Sequence, residues 1–322
     1  MALLEVDGVT MYYETREGLV HAVDDVSFNL EKGSVFGLVG ESGCGKSSIA
    51  LTLMRLLPPN GKLLSGTVRL NGEDVYAIPE YDLRKNLRWK HISLIAQGAM
   101  NSLNPVFTIG AQVKEPITAH SDASENDATE RAKDLLKQVG IDPSRYSSYP
   151  HEFSGGMKQR VIIAMALGLN PDVVIADEPT TALDVIVQAQ ILMLLKKLQE
   201  ELKMSMILIT HDLSLVAEMS KVIAIMYAGQ IVEYAAASTI FHNPRHPYVV
   251  GLLKSVPNIE AKKHRLMSIA GSPPDLLRPT PGCRFAARCS FATAKCSSTM
   301  PPLEDIGDGH LVRCWYWRDI GL

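Results

Sequence analysis

The stretch GESGCGKS, Gly40 to Ser47, constrains this chain more than any other. It fits G-x-x-x-x-G-K-[ST] at Gly40, Gly45, Lys46 and Ser47. Before it runs SVFGLVG, a short apolar segment with the character of a buried strand. After it runs SSIALTLMRLL, a helical pattern stopped by Pro58 and Pro59. Strand, glycine loop and helix are the context in which such a loop wraps phosphate oxygens. Glycines allow the close backbone approach, the N–H groups point inward, and the positive end of the helix dipole adds attraction. Lys46 is placed for β- and γ-phosphates and the Ser47 hydroxyl for Mg²⁺. Ser42, Gly43, Cys44, Gly45 and Ser48 complete the expected phosphate contacts. Cys44, inside the loop, is read as a small residue filling a turn rather than as a redox group.

A second constellation follows about 130 residues later, in PDVVIADEPTTALD, Pro171 to Asp184. Val173–Ala176 form an apolar strand ending in Asp177 and Glu178, at the end of a strand where open α/β sheets bind ligands. Asp177 is placed to hold Mg²⁺ and Glu178 to orient or deprotonate the attacking water. Phosphoryl transfer asks for positioning and charge stabilisation rather than covalent chemistry. An Asp-Glu pair alone marks many solvated strand ends; its position downstream of a phosphate loop gives it meaning. A further strand, in MSMILIT, leads to His211. A lone histidine there is ordinarily structural, but at the end of the same sheet it is expected to sense the γ-phosphate. HEFSGGMKQR, His151 to Arg160, begins a helix at Ser-Gly-Gly, whose open N–H groups make an anion site.

In order and spacing, the phosphate loop, Gln97, SGGMKQR, ADE, TALD and His211 resemble the ATP-binding subunit of ABC transporters over roughly residues 3 to 255. The resemblance implies an α/β fold: a P-loop nucleotide-binding domain with a mixed-sheet core and a helical subdomain at about 98–168. It also implies residue roles. Tyr13 in VTMYY stacks on adenine, with Tyr12 the weaker candidate. Gln97 senses Mg²⁺ and water. Ser154, Gly155 and Gly156 contact ATP held by a partner subunit, and Asp184 links the two sites. Met157 departs from the commonest glutamine after the two glycines, at a position where backbone N–H groups do the work. GAMNSLNPVFTI, NPRHPYVVGLLKSVP and GSPPDLLRPTPGCRFAARC resemble the oligopeptide/dipeptide importer branch. That branch implies a second, related ATPase, two membrane permeases and an external binding protein, with this chain peripheral at the cytoplasmic face of the membrane.

The expected division is an ATPase domain over 1–255 and an extension over 256–322. The extension holds four of the chain's 5 cysteines, Cys283, Cys289, Cys296 and Cys314, spaced C-x5-C-x6-C-x17-C. Clustered thiols in a reducing compartment favour metal over disulfides. The spacing lacks the close pairs of structural zinc and the tight run of ferredoxins. Iron–sulfur, zinc and four unligated thiols therefore stay open on the residues. Some members of the importer branch carry a [4Fe–4S] cluster in such a tail, which implies that cluster here as a structural staple, with Zn²⁺ as the alternative. Small modules of this size bury little core and gain from a metal.

Composition narrows the class. Of 322 residues 46% are hydrophobic and 21% charged, with net charge −3, so no nucleic-acid partner is expected. Apolar runs such as Val161–Leu167 and Val222–Ala228 fall short of the roughly 18 residues of a membrane span. No basic region precedes an apolar stretch at the N-terminus, so no signal peptide is expected. A DNA-repair or ribosome-associated ATPase of the same fold would show coiled-coil insertions, internal zinc modules or two ATPase halves, and none is visible.

Overall fold

The computed structural model describes residues 2–98, 101–255 and 269–321. Ala99 and Met100 of the GAMNSLNPVFTI stretch lie outside them, as does 256–268, where the expected extension begins. The chain divides into two compact units, one built mainly from Asp74–Leu208 with Glu31–Ser34, the other from Leu3–Leu30, Val35–Glu73 and Ile209–Leu322.

The first unit pairs the strand Ile92–Ile95 in parallel with Val173–Asp177, Ile92 opposite Val173 and Ile95 opposite Ala176. Every residue of Val173–Asp177 is buried, as expected of a parallel strand covered on both faces. Helices follow wherever the sequence offers an oxygen at the start. Thr108, Ser124, Ser154 and Asp184 each accept a backbone N–H two or three residues into the helices Ile109–His120, Glu125–Gln138, Gly155–Ala166 and Val185–Leu202. Ile109, Val113 and Ile117 fall on one face of the first, Ala128, Ala132 and Leu135 on one face of the second, and all are buried. Arg160 donates to the Val139 carbonyl at 2.7 Å, tying the helix after the Ser-Gly-Gly to the end of Glu125–Gln138.

The second unit carries an antiparallel sheet in the order Gly18–Glu31, Ala2–Thr15, Gly61–Leu70 and Glu73–Asp74. Leu4 faces Leu70 and Val6 faces Val68, and all four are buried. A second set begins with Val35–Val39, parallel to Val222–Tyr227, which pairs antiparallel with Gln230–Ala236. The turn between the last two is Ala228-Gly229, with φ of 47° and 87°. Positive φ at both central residues matches the right-handed twist of a two-residue hairpin. Gly37 lets a helix close on Val35–Val39: a Cβ there would lie 2.0 Å from Val216 Cγ1.

The boundary drawn at 255 from sequence falls within this second unit. Leu311–Val312 adds to the edge of Gln230–Ala236, Val312 opposite Glu233, and Glu304–Asp305 adds to Leu311–Val312. Arg284, buried, pairs with Asp24 and donates to the Ala228 carbonyl. Arg313 donates to the Ile231 carbonyl at 3.1 Å and to Asp25 at 3.3 Å. Phe285 packs on the rings of Tyr227, Tyr248 and His246. His246 is fully enclosed there, and burial pulls its ring down to a pKa of about 3, so it is neutral. Phe285 and Val312 of the tail are thus buried against Tyr227 and the strand Gln230–Ala236 of the same unit.

Candidate functional site

Gly40 ends the strand Val35–Val39, and the helix Lys46–Leu53 starts directly after Gly45. Two glycines of the loop are obligatory on steric grounds. A Cβ on Gly40 would lie 2.2 Å from the Met226 carbonyl oxygen, and one on Gly45 would lie 2.0 Å from that of Ala22. Gly45 also has φ of 106°, which side chains rarely adopt. Lys46 is 5% exposed, and its Nζ donates to the carbonyls of Gly40 at 2.8 Å and Glu41 at 2.9 Å. Its ammonium thus lies within the curl of the loop. Cys44 is buried beneath it, and burial pushes its thiol pKa up, in keeping with a filler of the turn. Ser42 and Gly43 are exposed and Ser47 and Ser48 half-buried. Tyr13 reaches the same place: its hydroxyl is 3.1 Å from Ser48 Oγ. Tyr12, its neighbour on the other face of the strand, is engaged elsewhere, donating to Asp24 with its ring tilted against that of His21, centroids 3.9 Å apart. His211 is exposed, directly after the strand Ser205–Thr210. These residues belong to the second unit.

The other candidates belong to the first. Asp177 closes the strand Val173–Asp177 and is 4% exposed. Glu178, next to it, has a left-handed backbone with φ of 46°. Such a conformation at a non-glycine residue costs energy and recurs at active sites as well as in turns. It turns the carboxylate out of the strand direction, where Oε2 accepts from Gln97 Nε2 at 3.0 Å and from Thr181 Oγ1 at 2.8 Å. The structure therefore brings together Gln97 and Glu178, 81 residues apart, and adds Thr181, which sequence reasoning passed over inside the TT of EPTTALD.

Ser154 caps the helix Gly155–Ala166 by accepting from Met157 N at 3.4 Å, and both it and Gly155 are exposed, as an anion site requires. Gly156 lets that helix approach Val185–Leu202, since a Cβ there would lie 2.6 Å from Val187 Cγ1. Asp184 is the cap of that second helix, accepting from Val187 N at 3.0 Å.

In the tail, Cys283, Cys289, Cys296 and Cys314 line one small apolar cavity of about 20 Å³, alongside Pro301 and Trp315. None is in a disulfide. Phe291 N donates to Cys289 Sγ at 3.3 Å and Tyr316 N to Cys314 Sγ at 3.4 Å. Burial pushes the thiols of Cys283 and Cys289 up, and that of Cys314 up to about 12. Backbone donors aimed at converging sulfurs suit four thiolates around a soft metal, which would supply the missing positive charge. The space holds no more than about one water. Among the described residues no group of three or more His, Cys, Asp or Glu is arranged to hold a metal ion. The donor chemistry fits, but the spacing of a finished centre is not preformed.

The comparisons with known proteins agree with this geometry. Residues 23–181 match the ABC transporter family and residues 232–296 the oligopeptide/dipeptide transporter C-terminal region. The chain is 45% identical to the dipeptide transport ATP-binding protein DppD of Escherichia coli (strain K12), over 99% of this chain and 98% of that one. It is 46% identical to the oligopeptide transport ATP-binding protein OppD of the same organism, over 98% of this chain and 93% of that one. Among solved structures, the dimeric ATP-binding cassette MJ0796 in a post-hydrolysis state with ADP and Pi aligns with a TM-score of 0.65 at 28% identity, covering 73% of this chain and 98% of that one. A phosphate loop of this build and such a carboxylate pair are parts of an ATPase, and the likeness to transport ATP-binding proteins makes it an ATPase subunit of a transporter. The chain belongs to the ATP-binding subunits of ABC transporters, in the branch that carries the oligopeptide/dipeptide transporter C-terminal region. Among the described residues no helix is long and apolar enough to cross a membrane.

Gly45→Ala should raise the dissociation constant for ATP more than about tenfold, because the methyl group displaces the loop from Ala22 and strains the backbone. Titration of the full-length variant with a fluorescent ATP analogue measures it.

Proposed function

We propose that the chain powers import of a peptide, or of another small oligomeric solute, by hydrolysing ATP as one of two ATPase subunits bound to two membrane permeases. The second ATPase is a related but different chain, an external binding protein delivers the solute, and this subunit works at the cytoplasmic face of the membrane. The observation that carries the hydrolytic reading is the Gln97–Glu178 hydrogen bond beside the buried Asp177. A carboxylate held by an amide and the Thr181 hydroxyl is oriented to take a water proton rather than left to rotate in solvent. The likeness of the whole chain to peptide-transport subunits supports the choice of solute.

In the unit that holds the loop, Gly40–Ser48 and Lys46 bind the phosphates of ATP, Tyr13 faces the base, and His211 faces the γ-phosphate. In the other unit, Glu178 orients the attacking water. The oxygens of Ser47, Asp177 and Gln97 are hard donors of the type Mg²⁺ takes. When bound, Mg²⁺ would neutralise charge on the phosphates. Ser154 and Gly155, exposed at a helix start, and half-buried Gly156 serve the ATP of the partner ATPase, and Asp184 carries the link between sites. Each subunit is then incomplete alone, and ATP favours the closed pair through contacts made only in that state. The four tail cysteines would be the ligands of a [4Fe–4S] cluster, with Zn²⁺ the alternative, once the cavity they line opens beyond its present volume of about 20 Å³.

Glu178→Gln should bind ATP with affinity within about threefold of the native chain while turnover falls more than about a hundredfold. ATP would then hold the ATPase pair closed, visible by size-exclusion chromatography of the assembled transporter's ATPases. Near-native hydrolysis would remove Glu178 from the mechanism. For the tail, iron and acid-labile sulfide in equal amounts in protein purified without oxygen are expected. Zinc without sulfide would make the tail a zinc module, and neither metal would return the thiols to simple packing.

A further inference from the structure

Glu41, the second residue of the phosphate loop, is held from three directions. Its carboxylate receives the guanidinium of Arg288 as a fork, Nη1 to Oε2 at 2.8 Å and Nη2 to Oε1 at 3.0 Å. Its backbone N–H donates to the hydroxyl of Tyr248 at 3.1 Å. Its carbonyl accepts from Lys46 Nζ at 2.9 Å. The two outside partners are 207 and 247 residues away in sequence. This is unlike a loose surface ion pair, which contributes little. Arg288 is fixed on every side: Nε donates to the Ala270 carbonyl at 3.0 Å, Nη2 to that of Ile269 at 3.3 Å and Nη1 to the Tyr227 hydroxyl at 3.2 Å. The Arg288 side chain is 6% exposed, and that of Tyr248 belongs to the fully buried core.

Two consequences follow for a loop that must receive phosphate. Backbone N–H groups bind anions well only when already aimed, because ordering them at the moment of binding subtracts from affinity. A bare carboxylate beside a triphosphate would also repel it. The fork from Arg288 addresses both, fixing the loop and neutralising its one acid. We propose that Arg288 and Tyr248 are positioning residues for ATP: they hold Glu41, and through it the phosphate loop, in the conformation that accepts the nucleotide. The cysteine-bearing tail is thereby part of the nucleotide site, although it touches no reacting atom. The proposal rests on the reading of Gly40–Ser48 as the ATP site.

The test is titration of the full-length chain with Mg-ATP, alongside steady-state hydrolysis. Native protein is measured first. If it fails to bind ATP, the reading of the site itself is wrong. If it binds, Arg288→Ala should raise the dissociation constant about tenfold, with the rate at saturating ATP within about twofold, since the residue acts on the loop and not on the chemistry. Removing the exposed carboxylate as well, in Arg288→Ala with Glu41→Ala, should recover part of the affinity, which mere loss of tail structure would not do. Tyr248→Phe removes a single hydroxyl and should raise the constant about threefold. Should Arg288→Ala not fold, Tyr248→Phe decides alone. Native affinity in a folded Arg288→Ala or in Tyr248→Phe overturns the proposal, as does a double variant no better than Arg288→Ala.

Discussion

The phosphate loop lies against the Ala22 and Met226 backbones with no space for side chains at Gly40 and Gly45. That close approach organises the unit around it. It requires Val35–Val39 to run parallel to Val222–Tyr227, so that Met226 reaches Gly40. It requires the tight Ala228-Gly229 turn, whose Gly229 N–H bonds the Cys44 carbonyl at 2.8 Å. It leaves Lys46 enclosed by the loop's own carbonyls. A cradle made this way is rigid before any nucleotide arrives, which is what phosphate recognition by backbone N–H groups demands.

The hydrolytic half depends on a different local device. Glu178 leaves a fully buried strand through a left-handed backbone, and two side chains then fix its carboxylate. A strand end without that turn would send the acid along the strand direction. Gln97 comes from the end of the neighbouring parallel strand, Ile92–Ile95, so the sheet register itself brings amide and acid together. The exposed start of the helix Gly155–Ala166 lies in the same unit. In the function proposed above, its anion is the ATP held by a partner ATPase.

Local features were legible in the sequence because local residues cause them. The loop, its flanking strand and helix, and the capping oxygens of Ser154 and Asp184 are short-range patterns with short-range reasons. The resemblance ranked Tyr13 above Tyr12, and the structure supplies a physical difference: strand alternation sends them to opposite faces, and Tyr12 is spent on Asp24 and His21. The Glu41–Tyr248–Arg288 cluster was illegible, since nothing periodic links a loop residue to partners more than 200 positions away. Two other long-range pairs, Arg284 with Asp24 and Arg313 with Asp25, tie the tail into the unit that holds the phosphate loop, so the boundary expected at 255 from the family resemblance falls inside that unit. The four tail cysteines, whose spacing has neither the close pairs of zinc sites nor the tight run of ferredoxins, line one cavity. Spacing alone does not set what occupies it.

If the tail holds the phosphate loop ready for ATP, the two segments respond to nucleotide together, and hydrogen–deuterium exchange of the full-length chain with and without Mg-ATP reads both. ATP should slow exchange in the segment Gly40–Ser48 and, together with it, in the segment Arg284–Cys289 that carries the arginine fork. Protection of the loop with no change in the tail segment would contradict the coupling, and no protection of the loop would contradict the site itself.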